Sequence, residues 1–407
     1  MKKALYITLS YAFIQSVIHN LGHVVTPVFV AQNEIPRYMF GFFFSAMSLG
    51  LLIGGPIWGI LGDQKNKRML IVLGLAGYSL GQFLFVSTTN LYLMTFFRFI
   101  SGFSVSAPVT LILSQVINLS PNNLRTKYLT IYAALFALGT TIGYKIGGFM
   151  GDYFIKEVFY IQVITNLVYA GFVLMSFKEL KRSSVHKKET FVQGFKDITK
   201  MDLSLLIFLI ALTLATTSAT IIQRYLDVYV TLDLGRSTNE LGDLVLITGI
   251  VGFITNFFIV PFLTRLQKDF ALMKWIQVLS AITIFIVFRS QYIIVALYTG
   301  YMFYIVLKSV YQPLEQNYIS LNAQGEKYGS IMGVRQAFFA MGMVIGPLVA
   351  GFIYDYNPIL VFDISSIMFI IAFILLFISQ SALKKKQFVE PLTASHQYES
   401  IEYKASP

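Results

Sequence analysis

Gly59-Ile-Leu-Gly-Asp-Gln-Lys-Asn-Lys-Arg68 is a short charged turn between two long apolar runs. The run before it, 38–58, carries no charge, and neither does the run after it, 69–97. A helix that crosses a bilayer needs about 20 apolar residues, so each run is long enough to span. A Gly start, one carboxylate and a basic cluster suit a helical hairpin turning back at a membrane surface.

The rest of the chain repeats the pattern. Of 407 residues, 56% are hydrophobic and 13% charged, against about 25% charged in a soluble domain. Apolar runs fall at 4–30, 38–61, 69–88, 91–118, 128–152, 157–177, 204–231, 240–264, 270–289, 291–320, 329–354 and 358–380, which predicts twelve spans. Met1-Lys-Lys-Ala could open a signal peptide, but the apolar run continues to Val30 without a small-residue cleavage site, so it reads as a retained first span. There is no cysteine, which excludes disulfides and thiolate metal sites.

With the N-terminus in the cytoplasm, 22 Lys and Arg fall in internal loops or termini, against Arg37, Lys156, Arg236 and Arg289 outside. That asymmetry predicts both termini inside. The net charge of +11 is then topological, with attraction to anionic lipid headgroups as a side effect and no role in binding nucleic acid. The basic loop 178–203 separates two six-span halves, 1–177 and 204–380, and the polar tail 381–407 is expected to be disordered.

The halves are weak copies. Gly139, Gly143, Gly147 and Gly148 recur as Gly342, Gly346, Ala350 and Gly351, 203 positions on, and Pro56 and Pro108 recur as Pro261 and Pro313, 205 positions on. Parallel repeats of this kind form transporters with a central binding site.

The opening turn resembles the signature that the major facilitator superfamily carries between its second and third spans: Gly, any, Leu, any, Asp, basic, any, Gly, basic, basic. Gly59, Leu61, Asp63, Lys67 and Arg68 match it. Gln64 replaces a basic residue and Asn66 replaces Gly, a mild exchange because Asn tolerates positive φ. The resemblance implies an all-α membrane protein with twelve transmembrane helices in two pseudo-symmetric six-helix bundles. It also implies alternating access, with Asp63 helping to control a cytoplasmic gate and Gly59 allowing close packing there. Arg98-Phe-Ile-Ser-Gly102 resembles the fourth-span motif linked to proton transfer, although an Arg at the start of a span can also snorkel to the interface. The fifth-span glycines resemble the motif of the twelve-span drug/proton antiporter branch, but Tyr144 and Lys145 follow where that branch has Pro; the copy keeps Gly346-Pro347.

Ionisable groups inside spans are costly and mark candidate sites. Here they are Arg98, Lys145, Arg224, Lys308 and Arg335 against Asp227 and Glu315, with His19 and His23 in span one. Lys308, Tyr311, Gln312 and Glu315 share one helix face in span ten, as do Gln15, His19, His23 and Thr26 in span one. Glu315, Asp227, Arg98 and the two histidines are the candidates for proton coupling. Glu315 is alternatively a structural partner of Arg335, Arg224 and Asp227 can neutralise each other, and two His at i, i+4 lack a third metal ligand. Lys145, Lys308, Gln312, Tyr311, Arg335 and Gln15 are candidates for substrate binding, and their basic surplus favours an anionic or zwitterionic amphipath. With the gate residues Gly59, Asp63, Lys67, Arg68, Gly139, Gly143, Gly147, Gly346 and Pro347, they describe a secondary active transporter. The expected activity is proton-coupled export of small amphipathic molecules; uptake by symport and flipping of a lipid-linked anion stay open. Phosphate-cradling loops, metal-spaced clusters and nucleophile elbows are missing, so the chain reads as no enzyme and needs no cofactor. Its partners are a small-molecule substrate, protons and membrane lipids. The expected setting is a bacterial inner membrane, as a monomer.

Overall fold

The computed structural model describes residues 2–121, 124–177, 203–266, 268–322 and 328–402, and no strand occurs among them. The expected linker 178–203 lies outside the described residues except for Leu203, which opens a helix. The first half consists of α1 (Lys2–Asn20), α2 (Thr26–Gln32), α3 (Tyr38–Gln64), α4 (Lys67–Ser87), α5 (Leu91–Leu119), α6 (Arg125–Gly151) and α7 (Ile155–Ser176). The second consists of α8 (Leu203–Val228), α9 (Thr238–Ile254), α10 (Val260–Thr264), α11 (Asp269–Phe288), α12 (Ile293–Tyr298), α13 (Gly300–Asn322), α14 (Tyr328–Tyr356) and α15 (Pro358–Glu402). Eleven helical stretches among the described residues are long and apolar enough to cross a membrane, with α9 and α10 joined into one and α12 and α13 into another. The twelfth span is α1 plus α2, interrupted at 21–25.

Local chemistry sets these boundaries. Asn90 accepts from the amides of Tyr92 and Leu93 to start α5, and Ser237 and Glu240 form a reciprocal capping box at the start of α9. Outward faces are apolar: Leu73, Val168, Phe257 and Phe352 are exposed, as side chains that meet lipid must be. In α15 the backbone helix runs on to Glu402, where the sequence reading expects disorder. Ser381-Ala-Leu-Lys-Lys-Lys-Gln387 are mostly strong helix formers, so the span is extended rather than capped.

The internal repeat appears as packing. Cβ atoms on Gly139, Gly143 and Gly147 of α6 would lie 2.7, 2.4 and 2.1 Å from the carbonyl oxygens of Phe13, Val17 and Leu21 on span one. A Cβ on Gly342 of α14 would lie 2.8 Å from Thr213 O of α8. In both halves the fifth helix lies flush on the first, which small residues permit.

The halves meet along α3 against α14 and α6 against α9. Their bonds gather at the end away from the termini. Arg37 pairs with Asp233 at 3.1 Å, Ser45 Oγ donates to Val344 O at 2.6 Å, and Thr238 Oγ1 donates to Gly148 O at 2.8 Å. Inward from these bonds, Gln223 on α8, Gln312 on α13 and Gln336 on α14 are exposed. Amide side chains are poorly tolerated against hydrocarbon, so they front an aqueous cleft between the halves.

Candidate functional site

Span one breaks where two candidate histidines stand. Pro27 lacks an N–H and sits in the first turn of α2, which restarts the helix at Thr26. Upstream the chain tightens to i→i−3 bonds, Leu21 N to Ile18 O and His23 N to Asn20 O, each 3.3 Å. Side chains brace the carbonyls around this break. Gln162 Nε2 donates to Ile18 O and His19 O, both at 2.8 Å, and Thr26 Oγ1 donates to Gly22 O at 2.7 Å. His19 and His23 meet edge-on with ring centroids 5.1 Å apart, and His19 stacks on Tyr78. The Nδ1 atoms of both rings and the Gln15 amide have no partner among the described residues.

Arg98 does not snorkel. It is 2% exposed, with its guanidinium 3.8 Å from the Phe85 ring centroid and bonded to Gln82 Oε1 and Thr26 Oγ1. Gln82 and Gln162 lie outside the stripes the sequence marks, because neither shares a helix face with an intramembrane ionisable group as Gln15 and Gln312 do.

At the seam between the halves, Tyr144 of α6 takes a position that the sequence reading noted only as a departure. Its hydroxyl donates to Asp227 Oδ2 at 3.2 Å and accepts from Arg224 Nη1 at 3.3 Å, both on α8. Arg224 and Asp227 are thus joined through a hydroxyl from the other half. Asp227 is 2% exposed, and the Arg224 guanidinium lies 4.3 Å from the Phe44 ring centroid of α3. Lys145 turns away from this cluster, to Asn239 Oδ1 and Asp243 Oδ1 on α9, each at 2.6 Å.

The α13 stripe divides. Lys308 Nζ donates to Gln223 Oε1 at 2.9 Å and, with Tyr311, borders a small cavity inside the second half. Gln312 is exposed in the cleft. Glu315, 1% exposed, is bound through both oxygens to Arg335, which is 5% exposed and also bonds Gln336. The pair closes α13 on α14. It takes Arg335 out of the surplus of intramembrane cations, just as Asp243 takes Lys145.

The opening turn is tighter than its sequence suggests. Helix α3 runs to Gln64, leaving only Lys65 and Asn66 between helices. Asn66 has φ −66°, not the positive φ expected of a Gly substitute; it instead caps α4 by accepting from Met69 N at 3.1 Å. Close packing lies at Gly62, whose Cβ would meet Leu111 Cδ2 at 2.2 Å, whereas one on Gly59 would stand 3.7 Å from Thr110. Asp63 is exposed, Arg68 is half-buried, and Lys67 is buried with Nζ on Ser114 Oγ at 2.9 Å. Gly346 and Pro347 of α14 pack against α8, where Pro347 O accepts from the Tyr225 hydroxyl at 3.0 Å.

Two six-helix repeats, a broken first span and a polar seam define a multi-pass membrane transporter. The chain belongs to the Major Facilitator Superfamily, whose model matches residues 5–229 and again 203–396. It is similar to the quinolone resistance protein NorA of Staphylococcus aureus, 23% identical over 82% of this chain and 85% of that one. It is equally similar to multidrug resistance protein 1 of Bacillus subtilis, with the same identity and coverage. In fold it resembles the nucleoside transporter NupG, with a TM-score of 0.79 at 13% identity over 93% of this chain and 99% of that one. Family and relatives are transporters rather than enzymes.

Proposed function

We propose that the protein is a secondary active transporter that exports small amphipathic molecules in exchange for protons, the two halves rocking about the seam. The carrying observation is Asp227: a buried carboxylate on one half, hydrogen-bonded by Tyr144 of the other. That bond lies at the closed end and must break when that end opens, so the charge state of Asp227 and the separation of the halves compete for one interaction. Glu315 is the weaker candidate, because its partner Arg335 belongs to the same half and need not part from it. The relatives support the direction, since both are named for drug resistance.

The distribution of Lys and Arg supports a cytoplasmic location for both termini in a bacterial inner membrane. The structure is then inward-facing, and the Arg37–Asp233 contacts form its closed outer gate. The exposed Asp63, with Lys67 and Arg68, belongs to the inner gate that closes in the opposite state. The protein is read as a working monomer, because each half finds its partner within the chain.

Inside-out vesicles energised to an acid interior and carrying a fluorescent pH reporter test this reading. Adding amphipathic compounds should release protons, and Asp227→Asn should abolish the release while Glu315→Gln, where folded, keeps it. Wild-type release from Asp227→Asn, or none from the wild type with any cationic, neutral or anionic compound, rejects the reading.

A further inference from the structure

Among the described residues, Lys308 has no carboxylate partner. The other intramembrane cations are provided for: Arg335 by Glu315, Lys145 by Asp243, Arg98 by the Phe85 face, and Arg224 by Tyr144 beside Asp227. Lys308, half-buried at the edge of the cleft, has only the amide oxygen of Gln223, a neutral acceptor that leaves the ammonium without a counter-charge. Arg224 is moreover within electrostatic reach of Lys308, so two like charges are held near each other.

The surroundings of Lys308 have the form of a binding site. It lines a cavity with Tyr304, Tyr311, Ser280, Ala219 and Phe369. Tyr304, Lys308 and Tyr311 fall at i, i+4 and i+7 on α13, one helix face. Tyr304 is 2% exposed, and its hydroxyl has no hydrogen-bond partner among the described residues. Buried hydroxyls are seldom left so, and one that borders a cavity beside an unpaired ammonium is a donor without an acceptor. The wall opposite, Phe369 and Ala219, is apolar.

We propose that this cavity receives the head group of an organic monoanion, a carboxylate that accepts from Lys308 Nζ and the Tyr304 hydroxyl while an aromatic or aliphatic body lies along the cleft. The proposal rests on the transporter reading and deepens it by naming the substrate class. A monocarboxylate matches two donors and one unpaired positive charge. A cationic amphipath would instead add a third positive charge beside Lys308 and Arg224.

The test is equilibrium binding to the purified full-length protein in nanodiscs, using three probes with one ring system: 2-naphthoate, 2-naphthamide and 2-naphthylmethylammonium. Naphthoate should bind tightest. Lys308→Gln should weaken it about tenfold or more, because a charge-assisted hydrogen bond is lost, and leave naphthamide unchanged. Lys308→Arg should restore most of the affinity, and Tyr304→Phe should weaken naphthoate by about fivefold. Naphthoate binding no tighter than naphthamide, a preference for the ammonium probe, or equal loss of naphthoate and naphthamide in Lys308→Gln each overturns the proposal. So does the absence of naphthoate binding to folded wild type at millimolar concentration. Because the measurement needs no proton gradient, naphthoate binding as described in a protein that releases protons with no amphipathic compound would reject the exchange reading and leave the site standing. Release driven only by cations would do the reverse.

Discussion

Gly41→Ala is the perturbation that most directly questions the closed end of the seam. A Cβ at Gly41 would stand 2.1 Å from Pro347 O and 2.7 Å from the Tyr225 hydroxyl, where ordinary contact begins at 3.4 Å. Pro347 O cannot swing aside cheaply, because it is backbone and already accepts from Tyr225 at 3.0 Å. Helices α3 and α14 must therefore part by about 1 Å, and overpacking of that kind costs about 1–3 kcal/mol. The cost falls only on the conformation in which these helices touch, so the equilibrium should move about 5- to 150-fold toward the state open at this end. The cysteine-free chain makes the assay direct. Ser45→Cys, one turn from Gly41 and 5% exposed at present, reports the closed end, and Gln312→Cys reports the cleft. With Gly41→Ala, a membrane-impermeant maleimide should label Ser45→Cys at least about fivefold faster and Gln312→Cys correspondingly slower. Gly55→Ala is the control on the same helix, since its Cβ would meet only Thr110 at 3.8 Å. Unchanged labelling at both reporters in folded Gly41→Ala protein would refute the two-state seam.

Two further perturbations probe the fold around the site. Glu315→Gln leaves the Arg335 guanidinium buried without its carboxylate, which should lower stability by about 3–5 kcal/mol; thermal unfolding in detergent measures this, and Arg335→Met in the same chain should restore a good part of it. Gln162→Leu strips the carbonyls of Ile18 and His19 of the amide that spans the break in span one. It should cost about 1–2 kcal/mol, since Ile18 O keeps the bond from Leu21 N and His19 O the one from the Tyr78 hydroxyl, and an unchanged unfolding temperature would mean that the break needs no such support.

The periodic features of this protein were legible in its sequence, and the pairings were not. Uncharged runs, the loop signature and the 203-residue glycine offset led to twelve helices in two halves, because each reports a constraint the bilayer or a helix contact imposes on every residue in turn. Lys308, Tyr311 and Glu315 share a face in the sequence, but only the structure gives Glu315 to Arg335 and leaves Lys308 on a cavity. A helical stripe fixes direction only to within a turn, and the partner comes from another helix. Asn66 was misjudged because a motif position was assigned Gly's backbone role, when the side chain was the part in use as an N-cap. The break in span one had a signal, Gly22 followed by Pro27, which apolar composition alone hides.

Tyr144 shows how far a departure from a repeat can carry meaning. Moved by the 203-residue offset, it becomes Pro347, and both positions follow a glycine that packs on the first helix of its half. Pro347 answers α8 with a backbone carbonyl, accepting from Tyr225 within its own half. Tyr144 answers the same helix with a side chain and does so across the seam, donating a hydrogen bond to Asp227 and accepting one from Arg224. Proline at 144 would leave the buried Asp227 and the half-buried Arg224 of α8 without that hydroxyl. The two halves therefore diverge where a symmetric repeat would have had nothing to hold Asp227, and the charged groups on α8 and the tyrosine on α6 form one interaction distributed over both repeats.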